Sequence, residues 1–409
     1  MGLSVLVSLL GGTVLGYFAA TQHALADRWS QVVQAHGHLQ LVGWAAVFVC
    51  ALMFEFGPRI TQRPLLPVRR RAFALLSLAL GAVLEAVGQV WYGPLGLLFP
   101  IGALLAAGGG AAVLIILLQI RPQWSWRRNM HPLWLPTAAT WLTAALVLQA
   151  GSVLNAGESV TPLHESRFVT ELLVRGFLLQ VILGIALRAF PGHFGLAQIS
   201  NRKQQWLWGG LNVMVIAWAI SSGAFGMPDV EVVRRGADIA LGIGLIVASG
   251  WLGIVGVVTG ARRGPRYQPL VVIAWAALLV YAVLLAVEAL LPGWETRSLY
   301  EEGAVRHIFL LGFVAPLMVA IAHLVLERFG TGLVKWENAL TTAFFLVAAA
   351  WPLRVFPALF VAAPGPIGRS IMGIAATFLT LGLALFAAVL IRNAVAFAGL
   401  DRKVERRAS

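Results

Sequence analysis

The sequence predicts an all-α polytopic membrane protein, and three observations carry that prediction. Apolar residues make up 59% of the 409-residue chain and charged residues only 11%, where a soluble domain carries about a quarter charged. Mean hydropathy is +0.83, so too few polar side chains exist to cover a water-soluble globule, and lipid must be the solvent. The apolar residues also fall in continuous runs without the dyad alternation of a membrane β-barrel. Backbone in lipid must satisfy its own hydrogen bonds, which makes helices the default. A cytosolic enzyme and a disordered tail are both excluded.

At about 20 apolar residues per helix, the chain divides into twelve spans: 2–22, 34–56, 71–92, 96–120, 133–155, 166–190, 205–226, 235–259, 269–291, 303–328, 336–360 and 368–397. Connectors are short, so residues 1–400 form one transmembrane domain, followed by a basic tail over 401–409. The first span, from Gly2 to Thr21, lacks the basic start and small-residue cleavage site of a signal peptide. In the fourth, Gly108-Gly109-Gly110 sits among alanines, which suits close helix packing rather than phosphate binding. The eleventh ends or breaks near Pro352, Pro357, Pro364 and Pro366. Trp91, Trp124, Trp126, Trp206 and Trp294 lie near span ends, as an aromatic belt requires.

Charge sets the orientation. There are 30 Lys+Arg against 17 Asp+Glu, a net charge of +13. Of the 30, 21 fall in the even-to-odd loops and the tail, for example Arg69, Arg70, Arg71, Arg121, Arg127, Arg128, Arg262, Arg263, Arg266 and Lys335. The opposite loops hold Arg28, Arg167, Arg234, Arg235, Arg297, Arg354 and Arg369, while Arg175 and Arg306 fall within spans. By the positive-inside rule both termini are expected in the cytoplasm, with the chain multi-pass in a cell inner or plasma membrane. The basic excess is therefore a topology signal, and no nucleic-acid partner is expected.

The single cysteine, Cys50, excludes a disulfide framework, thiolate zinc or iron–sulfur sites and covalent haem attachment. P-loop, Rossmann, nucleophile-elbow and H-E-x-x-H patterns are absent from the sequence. An internal repeat is present instead. His38-Leu39-Gln40-Leu41-Val42-Gly43-Trp44 in the second span parallels His307-Ile308-Phe309-Leu310-Leu311-Gly312-Phe313 in the tenth. The sixth offers Val174-Arg175-Gly176-Phe177 against Val305-Arg306-His307-Ile308-Phe309, offset by one. Spans two, six and ten are four apart, so three arcs of four helices are one architecture compatible with this spacing.

Polar groups inside spans are costly and face the bundle interior. His36, His38, Glu85, Glu171, Arg175, Asp238, Glu288, Arg306 and His307 fall in the outer half or near the middle, which predicts a polar or cofactor-filled cavity near the external face. Neutral imidazole is the usual axial ligand of b-type haem, and His36, His38 and His307 are the candidate metal ligands. His36 and His38 stand about 200° apart on an ideal helix, so only one of them can face a given iron. Which one is open. Arg175 pairs with Glu171 at the i,i+4 spacing, and Arg175 or Arg306 could instead meet haem propionates, because a guanidinium matches a carboxylate bidentately. His23 and His164 belong to external loops, His131 and His193 to cytoplasmic ones, and His323 is too far from His307 to share a metal. A proton-coupled secondary transporter using Glu85, Asp238 and Glu288 is the competing class.

Two family resemblances bear on these residues. Ala35-His36-Gly37-His38-Leu39 resembles the start of the second helix of haem–copper oxidase subunit I, which has twelve helices in three arcs, and on this resemblance His36 is the haem ligand. Spans six and seven carry no histidine, so the oxidase copper site is not expected. The chain is more similar to the NnrS family of twelve-span haem- and copper-containing membrane proteins. The match lies in His36-Gly37-His38, in Arg188-Ala189-Phe190-Pro191 and in the helix running from His307 to Val319. It implies haem b, with copper allowed, and a role in nitric oxide metabolism or tolerance, or related redox chemistry, near the external face. The implied partners are haem, the bilayer and a small diatomic gas.

Overall fold

The computed structural model describes residues 2–21, 26–61, 63–64, 66–120, 130–260, 268–291, 298–329, 336–359, 361 and 363–408. Several sequence expectations lie outside these residues: His23, Trp124, Trp126, Trp294, Arg297, Lys335 and the basic connectors around Arg121 to Arg128 and Arg262 to Arg266. The described chain is helical, with one isolated bridge between Ser222 and Asp229 and no named strand among the described residues.

Among the described residues, ten helices are long and apolar enough to cross a bilayer: α1 (Ser4–Thr21), α2 (Trp29–Arg59), α3 (Val68–Val90), α4 (Leu98–Gln119), α5 (His131–Ala156), α6 (Leu163–Phe194), α9 (Gln268–Leu290), α10 (Leu299–Leu324), α11 (Glu337–Val355) and α12 (Pro366–Ala394). Between α6 and α9 lie α7 (Asn201–Ile220) and α8 (Glu231–Trp251). These two correspond to the expected seventh and eighth spans but fall short of the apolar criterion. The first opens on Asn201-Arg202-Lys203-Gln204-Gln205, and the second carries Arg234, Arg235 and Asp238. The last helix continues to Ala408. The proline expectation is refined: Pro352 sits inside α11, which ends at Val355, and Pro366 opens α12.

Consecutive helices pack side by side, α3 on α4, α4 on α5, α7 on α8, α8 on α9 and α11 on α12, and α12 returns to α1. Three helices stand apart from this ring. The apolar windows of α2, α6 and α10 are 78%, 89% and 78% buried, against 33–61% for the other seven membrane-length helices. They form the centre, and the remaining helices face outward.

The three central helices share one construction. In α2 the α-helical stretch Trp29–His38 gives way to a π-helical one, Leu39–Ala46. In α6 the change falls between Leu163–Glu171 and Leu172–Leu178, and in α10 between Leu299–His307 and Ile308–Val314. Counting from His38, Glu171 and His307, a glycine follows at the fifth position (Gly43, Gly176, Gly312) and an aromatic at the sixth (Trp44, Phe177, Phe313). This register differs from the one expected for the sixth span, which set Arg175 opposite Arg306: counted from the glycine, Glu171 stands at the position of the histidines. The glycines are steric necessities. A Cβ would come 2.5 Å from Val7 Cγ1 at Gly43, 2.7 Å from Trp141 Cγ at Gly176 and 2.8 Å from Ala277 Cβ at Gly312. Each central helix is thereby drawn close to its own neighbours. π-Helical segments are rare and concentrate at functional sites.

Small residues also join α3 to α4. A Cβ on Gly102 would meet Glu85 N at 2.2 Å, and one on Gly81 would meet Ala106 N at 2.5 Å. Within the glycine triplet, Gly109 abuts Leu78 N at 2.8 Å, while nothing lies within 4 Å of a Cβ on Gly108. Close packing thus holds for part of the triplet.

Candidate functional site

Two histidines from different central helices meet at one level. The rings of His36 (α2) and His307 (α10) have centroids 6.1 Å apart and planes within 7° of parallel. Each ring is oriented through Nδ1. His36 Nδ1 lies 2.6 Å from Gly12 O on α1, and His307 Nδ1 lies 2.5 Å from Gly303 O one turn back on α10. A carbonyl can only accept, so both rings carry their proton on Nδ1 and keep the Nε2 lone pair. Gly16 makes room for this arrangement, since a Cβ there would stand 2.7 Å from His36 Cε1.

The pair borders a cavity of about 200 Å³ that is graded from end to end. At the level where α2, α6 and α10 begin, its wall holds Arg167, Arg306 and Arg354; deeper, it is Leu41, Ala45, Leu310, Leu311 and Val314. Sequence reading assigned Arg354 and Arg167 to loops. Both lie within helices, Arg354 in the last turn of α11 and Arg167 in the first turns of α6. Arg354 is the site residue that sequence reading missed. Its Nη1 is buried with no hydrogen-bond partner among the described residues. A buried cation without a bonded acceptor is expensive. The signal was present in the sequence, because the expected eleventh span, 336–360, includes Arg354.

His38, two residues from His36, also borders this cavity, but its Nε2 turns toward α3. Its Nε2 approaches Glu85 Oε2 of α3 to 2.8 Å, off the angle of an aligned hydrogen bond, at exposures of 8% and 1%. Gln149 Nε2 of α5 donates to the other Glu85 oxygen at 2.7 Å. Above this group Gln89 donates to Gln34 at 2.7 Å, and Gln34 donates to the Thr161 carbonyl at 2.9 Å. The structure therefore separates the two histidines of α2, one toward α10 and one toward α3 and α5.

The arginines expected at a cofactor divide as well. Arg175 lines a different chamber, of about 310 Å³, together with Arg234, Arg235, Asp238 and Glu288, and it is absent from the wall of the histidine cavity. Its Nε donates to Glu171 at 2.7 Å, its Nη1 pairs with Asp238 of α8, and its guanidinium lies 4.9 Å from the Trp218 ring centre. The i,i+4 pair with Glu171 is thus real, and a half-buried acid on α8 extends it. Arg306 borders both spaces, donating to Glu171 at 3.0 Å while lining the histidine cavity. Glu171, at the repeat position of the two histidines, gathers two guanidiniums where His38 meets Glu85 and His307 faces His36.

The remaining expectations lie apart from the cavity. His164 is exposed and 3.9 Å from Glu165; His131 begins α5, His193 ends α6 and His323 is buried far along α10. Arg188 and Pro191 sit at the opposite end of α6 from the histidine pair. Among the described residues no group of three or more His, Cys, Asp or Glu side chains could hold a metal ion.

The donor set suits a haem. Two metal–imidazole bonds of about 2 Å each, with the two ring radii, put ring centres roughly 6 Å apart, close to the observed separation. Nδ1 bonded to a carbonyl is the usual outer-sphere arrangement for a ligating imidazole. A cationic rim above an aliphatic floor matches a flat apolar macrocycle with carboxylates on one edge. No protein-family model matches the chain, and no curated protein is detectably similar to it.

Proposed function

We propose that this chain is a b-type haem membrane protein of NnrS-like type, in which His36 and His307 would hold the haem and Arg306 and Arg354 would meet its carboxylates. One observation carries the reading: two near-parallel imidazoles, 6.1 Å apart, each with Nδ1 engaged by a backbone carbonyl and Nε2 left to ligate. Bound there, haem would supply one-electron redox chemistry. Held by two imidazoles, it would serve electron transfer. The family resemblance also allows copper; the proposal concerns haem. The proposed setting is a plasma membrane, with the histidine end at the external face.

The test is a visible spectrum of protein purified from haem-replete cells. A Soret band is expected, lost or shifted to a five-coordinate form in His36→Ala and in His307→Ala and retained in His38→Ala. A colourless wild-type protein, or loss only in His38→Ala, refutes the assignment.

A further inference from the structure

A second cavity, of about 20 Å³, lies where α2, α6 and α10 meet beyond their π-helical segments. The repeat places it. Eleven residues past His38, Glu171 and His307 stand Val49, Ile182 and Met318; fourteen past stand Leu52, Ile185 and Ile321, and all six line this space. Equivalent positions of three similar helices therefore converge on one axis. Their apolar side chains border the space left between the three helices.

The gap has a definite chemical character. No lining side chain carries an N–H or O–H group. A buried water needs two to four polar partners and about 10–15 Å³ of space, so the volume suffices for one small molecule but the wall cannot bond a water. Apolar cavities of this kind stay dry and accept xenon or small hydrocarbons. Val314 borders both this cavity and the one holding His36 and His307, so one side chain separates them.

We infer that the axial cavity is a docking site for a small uncharged diatomic gas, held one side chain away from the histidine cavity. A gas that dissolves in lipid reaches such a site without crossing water, whereas the graded polar cavity admits charged groups at its rim. Only the purpose of the site rests on the haem reading; occupancy does not.

Xenon is the probe, read by ¹²⁹Xe NMR on the full chain in lipid nanodiscs. Wild type is expected to show one saturable site. Ile185→Phe fills the cavity and should weaken xenon binding about tenfold, the factor equivalent to ~1.4 kcal/mol. Val314→Ala enlarges it and should strengthen binding, so a variant that merely misfolds cannot mimic both results. No saturable xenon signal in wild type, or unchanged binding in Val314→Ala, overturns the inference. Coloured protein without a xenon site overturns it alone, while colourless protein with a saturable site overturns only the haem assignment.

Discussion

Replacing Gly16 by alanine perturbs the histidine pair without removing a ligand. The added methyl would sit 2.7 Å from His36 Cε1 and 3.0 Å from its Nδ1, distances real Cβ contacts do not tolerate, so the ring must turn. Turning it breaks the bond to Gly12 O, worth about 0.5–1.5 kcal/mol net, and overpacking adds about 1–3 kcal/mol. If roughly 2 kcal/mol of this falls on the liganded form, haem affinity drops about 30-fold. The assay is haem titration of the apoprotein followed at the Soret band, with electron paramagnetic resonance of the ferric form to report the angle between the imidazoles. Gly108→Ala serves as control, since nothing lies within 4 Å of a Cβ there. Unchanged affinity and an unchanged ferric spectrum in Gly16→Ala would refute the placement of His36 against the iron.

Three further substitutions separate the cofactor site from the packing that supports it. Arg354→Gln should lower haem retention while leaving the thermal unfolding midpoint near wild type, because it removes a cation whose Nη1 has no hydrogen-bond partner among the described residues. Arg175→Gln should do the reverse, leaving the spectrum intact but destabilising by about 3–5 kcal/mol, as breaking a buried ion pair does. Circular dichroism melts beside absorption spectra separate the two. Gly102→Ala should abolish stable α3–α4 pairing, because its Cβ meets the Glu85 backbone at 2.2 Å; the yield of folded protein in gel filtration should collapse, and wild-type yield would contradict the packing.

Much of the fold was legible because it depends on one-dimensional quantities. Run length and composition locate membrane helices, and a residue type at fixed spacing locates the repeat of His38 and His307. The site was legible only in part. Helical geometry separates His36 from His38 without saying which of them meets α10, since that depends on how α2 is rotated against its neighbours. Arg175 stood as a candidate cofactor partner with Glu171 as its one acid along the helix; Asp238, 63 residues away, joins Glu171 in space and neutralises it. Arg354 lies within the expected eleventh span but was grouped with the external loops, and only the packing of α11 beside α10 brings it to the histidine cavity.

The sequence by itself determined the solvent, the secondary structure and the placement of polar groups in one half of the helices, because hydrophobic burial and backbone hydrogen bonding in lipid act along the chain. Tertiary structure alone decided the partners. His36 meets His307, His38 meets Glu85, and Glu171 meets Arg175 and Arg306, since each pairing depends on the rotation and depth of helices far apart in sequence. Those rotations are set where Gly43, Gly176 and Gly312 let neighbours approach closely, a steric fit that exists only once the helices are packed.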